Sequence, residues 1–169
     1  MNRKRLYTVI ALILLIMLYI MIFFLSSEDA DSSSNVSMKV TKALLRIYYR
    51  ISGGNGGQLV TGYVASSAEN IVRKLAHFTE YACVGFLSYS IVVTWYGTIW
   101  KGRLFVVLQL LLSAGADEFH QYFVPGRHAS VKDVLIDTAG GIAGMVVILI
   151  WSYMRKKIVR WFKSDKNGK

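Results

Sequence analysis

Apolar and polar residues follow one another along this chain in long blocks, and the apolar blocks have the length that crosses a bilayer. Leu6 to Leu25 contains no charged residue, and about twenty apolar residues in a helix match a hydrocarbon core of about 30 Å. Arg3, Lys4 and Arg5 precede it. The run is too long for a secretory signal, and Ser26-Ser27-Glu28 offers no small-x-small cleavage site, so a retained first membrane helix is expected at 6–25. The polar stretch Ser26 to Asn35, with Glu28, Asp29, Asp31 and Ser32 to Ser34, is expected to be an exposed connector that caps the next helix.

From Val36 to Ile51 the period becomes helical. Val36, Val40, Leu44, Ile47 and Ile51 recur at spacings of three and four, beside a basic edge of Lys39, Lys42, Arg46 and Arg50. That pattern suits an amphipathic helix on the outer membrane surface, and equally a solvated basic face packed on its neighbours. Gly53-Gly54-Asn55-Gly56-Gly57 then breaks the helix with a flexible loop. Gln58 to Lys74 is expected to be a mixed, partly helical approach.

Three further crossings are expected, at 75–96, 104–122 and 131–153, and each carries a stripe of polar or small residues on one face. In the second crossing the stripe is Lys74, His77, Tyr81, Gly85 and Ser88, with Glu80 beside it. In the third it is Gln109, Ser113, Asp117 and Gln121, and in the fourth Asp133, Asp137, Gly140 and Gly144. Glycines on such a face let helices approach closely, so the two acids are expected to point inward. Pro125-Gly126 forces a turn between the last two crossings, and Ser130 is placed to cap the fourth.

Composition agrees: 54% of the 169 residues are hydrophobic, and mean hydropathy is +0.41. The net charge of +10 does not indicate nucleic acid, because the basic residues sit at the ends of apolar runs and in the tail, where lipid headgroups would meet them. Twelve Lys and Arg fall on the segments assigned inside and eight on those outside, which places both termini in the cytoplasm by the positive-inside rule. The expected fold is an all-α membrane protein with about four transmembrane helices and an extracytoplasmic amphipathic helix. Residues 1–154 form the membrane domain, with an outer loop at 26–74, and 155–169 form a basic cytoplasmic tail. Multi-pass insertion in the cytoplasmic membrane follows. Cys83 stands alone and is expected to be a buried core residue.

This topology gathers Lys74, His77, Glu80, Asp117, Glu118, His120, Gln121, Arg127, Asp133 and Asp137 at the outer leaflet, where charges near hydrocarbon are costly. Three readings follow. In one, Lys74, Gln121, Arg127 and Asp133 bind an anionic headgroup while His77, Asp117 and Glu118 supply general acid/base groups. In another, His77, His120 and carboxylates hold a divalent cation, although no ligand spacing fixes a set and no metal residue is assigned. In the third, the charges only pin helices together. His128 is expected to be solvated, and Glu80 to neutralise Lys74 or Arg73. No glycine-rich phosphate loop, internal repeat or cysteine metal motif names a cofactor.

The patterns Lys74-x-x-His77-Phe78-x-x-Tyr81 and Asp117-Glu118-x-x-Gln121-x-Phe123-x-Pro125-Gly126-Arg127-x-x-Ser130-x-x-Asp133-Val134, with Gly140 and Gly144 downstream and Phe24-Leu25-Ser26-Ser27 upstream, resemble the VanZ-like membrane proteins. The resemblance covers all but the Gly-rich loop and the tail. It implies a small multi-spanning bacterial membrane protein of the cell envelope, in a family whose namesake raises resistance to the glycopeptide teicoplanin. The implied partners are membrane lipids, a lipid-linked cell-wall precursor or a lipoglycopeptide antibiotic. Asp137 stands where the family pattern suggests an amide such as Asn, and His120 falls at a variable place.

Overall fold

A computed structural model of the protein describes residues 2–53 and 62–167, with side chains described for 2–53 and 64–159. Among the described residues every regular element is an α-helix: α1 (Arg3–Ser27), α2 (Ala30–Ile51), α3 (Gly62–Tyr96), α4 (Trp100–Gln121) and α5 (Val131–Asn167). The expected all-helical class is therefore observed. Most of the glycine loop at Gly53 to Gly57 lies outside the described residues.

Several boundaries differ from the sequence reading. The stretch Ser26 to Asn35 is not an open connector, because Asp29 accepts the Ser32 N–H at 2.7 Å and starts α2 at Ala30. A carboxylate in this position satisfies a free helix-end donor and suits the positive end of the helix dipole. Helix α3 begins at Gly62, well before residue 75, because its first turns pack on α2: Ala65 is fully buried, and Ser37 donates to the Glu69 carboxylate. Helix α5 runs through the basic segment to Asn167, since no Gly or Pro follows Gly144 before that point.

Side-chain ties fix the directions. At one end Tyr7 donates to Ser90 Oγ at 2.7 Å and Trp95 Nε1 to Thr8 Oγ1 at 2.8 Å. At the other, Ser27 Oγ meets His120 Nε2 at 3.0 Å. Helix α1 thus runs antiparallel to α3 and alongside α4 in the same sense. Helices α3 and α5 run parallel, in the closest pairing of the bundle. A Cβ at Gly144 would collide with the Ala82 carbonyl, and one at Gly140 with the Phe78 carbonyl. The glycine stripe brings backbone against backbone, as its spacing implies.

The core is narrow, built on Ile22, Tyr81, Val84, Tyr89, Val106, Leu110, Ala114, Met145 and Ile148. Large apolar side chains instead coat the outside, among them Ile16, Phe24, Phe105, Leu112 and Trp151. A surface so continuously apolar needs a nonpolar surrounding. Cys83 belongs to it: the residue is exposed, not buried, because α3 turns its Tyr81, Val84 and Ser88 face to its neighbours and leaves Cys83 outside. By length and composition α1 and the Val131–Val159 part of α5 are able to cross a membrane among the described residues. The expected second and third crossings, within α3 and α4, are helices whose polar stripes keep them from qualifying on the same grounds.

The apolar stripe of α2 stays uncovered, with Val36, Val40, Leu44, Ile47 and Ile51 exposed, while Ser37 and the buried Thr41 face α3. This helix docks through its small polar edge.

Candidate functional site

Five segments meet where α1 ends: the start of α2, the middle of α3, the end of α4, the Pro125-Gly126 turn and the start of α5. The turn is closed by Arg127 N–H donating to the Val124 carbonyl at 3.1 Å. Gly126 has φ +75° and stands against Ala30, where a Cβ would approach Ala30 Cβ to 3.0 Å. Only glycine meets both demands without strain. The turn is thereby pressed onto the start of α2, whose Ala30 N–H donates to the Pro125 carbonyl at 3.3 Å.

These segments enclose a cavity of about 240 Å³. Arg73, Lys74 and His77 line it from α3, Glu118 and Gln121 from α4, Arg127 and His128 from the turn, and Asp133 and Asp137 from α5. Beyond Arg73, His77 and Arg127 lies a second, more apolar cavity of about 220 Å³, walled by Val36, Val40, Val72 and Ala76. Of the ten residues expected to converge, seven line this cavity, Glu80 lines the second one and Asp117 lies behind the first. His120 points away from the cavity, stacking on Phe23 with ring centroids 4.6 Å apart and bonding Ser27.

The convergent residues hold different partners. Lys74 Nζ lies 3.5 Å from Asp133 Oδ1 at the half-open mouth, joining α3 to α5. Glu118 Oε2 accepts the Ser130 N–H at 2.8 Å, and the Ser130 carbonyl accepts from Asp133 and Val134 at 3.0 and 3.2 Å. Ser130 thus stands at the start of α5 as expected, held through its backbone. Arg127 donates from one terminal nitrogen to the Leu25 carbonyl at 3.0 Å, while its Nε has no partner. Partial burial lowers the Arg127 pKa and Arg73 adds to this, while Asp117, Glu28 and Glu118 oppose it. A guanidinium remains charged through such shifts.

Behind the cavity, Gln121 Nε2 donates to Asp117 Oδ2 at 3.1 Å and reaches Ser26 Oγ at 3.4 Å. His77, Asp117 and Asp137, from three different helices, bring their ligating atoms within 4.8 Å of one another. Glu80 does not serve Lys74 or Arg73; its Oε2 lies 3.8 Å from His77 Nδ1. Helical spacing accounts for this, since Glu80 is one turn beyond His77 on the same side. His128 is exposed at the cavity rim.

The sequence reading turned Asp137 inward but gave it no binding or catalytic role, yet it is the most buried acid of the site, 1% exposed, with neither carboxylate oxygen hydrogen-bonded. The available signal was its place one turn before Gly140 and Gly144, where α5 comes closest to α3. Arg73 and Asn70 were also missed as cavity residues. Asn70 continues the Lys74 and His77 stripe one turn back, and only the early start of α3 brings it into play.

The family described as VanZ/LLP1 matches residues 11–152, which include every residue of the cavity. No curated protein and no solved structure matches the chain.

Proposed function

The chain belongs to the VanZ/LLP1 family, and on that footing we propose that its cavity is an outer-leaflet pocket that binds an anionic component of the cell envelope. The observation that carries this reading is the cluster of Arg73, Lys74 and Arg127 around a 240 Å³ space at the helix ends. That volume suits a headgroup, and a planar guanidinium with an unused Nε suits phosphate or carboxylate oxygens. The acyl chains of a lipid or lipid-linked cell-wall precursor would remain outside, along the apolar coat.

In this reading α1, α3, α4 and α5 all cross the cytoplasmic membrane. Arg3, Lys4, Lys101, Arg103 and Arg155 lie at the opposite end of the bundle from the pocket, and the positive-inside rule assigns that end to the cytoplasm. Helix α2, with its apolar stripe uncovered, lies along the outer surface. His77 and Asp117 are the pair placed for proton transfer if the bound group is modified. Glu118 is less suited, since its carboxylate already receives the Ser130 N–H.

Binding at this position would let the protein alter how a lipoglycopeptide such as teicoplanin, which carries a fatty tail, reaches its target at the membrane surface. The alternative is that the charges are purely structural, as the Lys74–Asp133 and Glu118–Ser130 ties favour. Single substitutions of His77, Asp117 and Arg127, scored for membrane abundance and teicoplanin susceptibility together, decide between them. A changed phenotype at normal abundance supports a working pocket, whereas loss of the protein in every case supports the structural alternative.

A further inference from the structure

We propose that His77, Asp117 and Asp137 form a binding site for one divalent transition-metal ion, of the zinc or manganese class, that joins α3, α4 and α5 beside the cavity. The assignment goes beyond the anion-binding reading and stands without it, because it depends only on these three side chains and their surroundings.

The geometry comes first. One imidazole nitrogen and one oxygen from each carboxylate lie within 4.8 Å of one another. Ligands at about 2.1 Å from a tetrahedral ion are about 3.4 Å apart, so separations of up to 4.8 Å close around an ion by side-chain rotation of about 1 Å or less at each residue. Among the described residues this is the group of three such side chains that comes together. It draws on three helices, and α3 and α5 are held in register there by the Gly140 contact with Phe78.

The second observation is the state of Asp137. The residue is 1% exposed, it faces the cavity, and both of its oxygens lack a hydrogen-bond partner. The charged groups acting on it most strongly are Asp117, Glu118, Asp133 and Glu80, all acidic. None of the nearby cations pairs with it: Lys74 lies against Asp133, Arg73 lies 3.9 Å from Glu69, and Arg127 donates to the Leu25 carbonyl. A buried carboxylate among other carboxylates calls for a positive charge of its own. A divalent ion between Asp117, Asp137 and His77 supplies it.

The surroundings match those of a metal ligand set. Gln121 donates to Asp117 Oδ2 and so fixes that carboxylate's orientation. Glu80 Oε2 lies 3.8 Å from His77 Nδ1, beyond hydrogen-bond distance and without another partner, and so is available to orient the imidazole once the ring turns to an ion. A donor set of one nitrogen and two oxygens suits zinc or manganese, while calcium prefers six or more oxygens and magnesium keeps an oxygen octahedron. Because His77 and Asp137 both line the cavity, three protein ligands would leave a coordination position open toward it.

The test uses the full chain, purified in detergent without added lipid, stripped with chelator and dialysed against Zn2+ or Mn2+ alone. Elemental analysis is expected to return close to one ion per chain, and Co2+ in place of Zn2+ to give a visible absorption band that shifts in His77→Gln. Asp137→Asn and Asp117→Asn are each expected to weaken Zn2+ binding at least tenfold, while Asp31→Asn, in the exposed first turn of α2, leaves it unchanged. Asp137→Asn is nearly isosteric and removes a buried charge, so its metal-free melting temperature should equal or exceed that of the parent, which separates lost ligation from lost folding. Failure of the folded parent to take up a stoichiometric ion of either metal overturns the assignment. Unchanged affinity in Asp137→Asn overturns it as well. Neither result bears on whether the cavity binds anionic lipid, which vesicles of anionic against neutral composition test separately.

Discussion

Glu118 and Ser130 are joined across the Pro125-Gly126 turn by a charge-assisted hydrogen bond of 2.8 Å, from the Ser130 N–H to the Glu118 carboxylate. It ties the end of α4 to the start of α5 and satisfies one of the free donors at that helix start. Glu118 is 5% exposed, so removing its carboxylate leaves the Ser130 N–H without its partner. Glu118→Ala is expected to destabilise the fold by about 1.5–3 kcal/mol, the scale of a hydrogen bond to a charged group. Glu118→Gln retains an acceptor oxygen and should lose less than half of that. Thermal unfolding of the purified variants compares them, and equal losses would contradict the role given to the bond.

The α3–α5 contact predicts a contrast between two glycines. Gly144→Ala places a methyl against the Ala82 carbonyl, and backbone cannot move aside as a flexible side chain can. The expected cost is about 1–3 kcal/mol or more, with reduced accumulation in the membrane. Gly115→Ala meets nothing within 4 Å and should be neutral or stabilising by up to about 1 kcal/mol, from helix propensity. The same measurement on both variants is the check.

Asp29 carries the acid sensitivity of the α2 start. Its carboxyl pKa is lowered, chiefly by the Ser32 backbone N–H it accepts and then by the Ser32 side chain. A depressed carboxylate contributes stability that is fully present above its unfolded pKa and is lost as pH falls through the lower folded value. The first turn of α2 is therefore expected to hold at neutral pH and to fray only in acid, below about pH 4. Hydrogen exchange at the Ser32 amide reads this directly. Asp29→Asn keeps a capping oxygen and should remove the pH dependence.

The topology proposed for the bundle can be read with single cysteines in a Cys83→Ser background. His128→Cys, at the cavity rim, is expected to react with a membrane-impermeant maleimide in intact cells. Lys101→Cys, at the far end of α4, should react only after the membrane is opened. The reverse pattern would place the pocket on the cytoplasmic face and remove the envelope reading.

Arg127 bears on the pocket itself. Arg127→Lys preserves charge but not the planar fork that reaches the Leu25 carbonyl. Binding of the full chain to anionic vesicles is expected to fall several-fold in Arg127→Lys and further in Arg127→Gln, at unchanged abundance. Binding equal to that of the parent in both would exclude the guanidinium from recognition.

What the chain determined locally was its helices, its inward faces and its turn. Those features depend on neighbours three or four residues apart, and the stripes through His77, Asp117 and Asp137 state them directly. The Pro125-Gly126 pair did the same for the turn, because its demands are backbone demands. Partner choice was a different matter. Whether Glu80 would meet Lys74 or His77, whether Glu118 was free or bound to Ser130, and whether Cys83 faced core or exterior all depend on the rotation and axial offset of one helix against another. Those were set by the contact of Gly140 and Gly144 with α3, by Asp29 starting α2 early, and by the turn seated on Ala30. A periodic pattern gives the face a residue occupies but not the height at which the facing helix presents its own, so only the packed bundle decided that Asp137 would be left without a hydrogen-bonding partner.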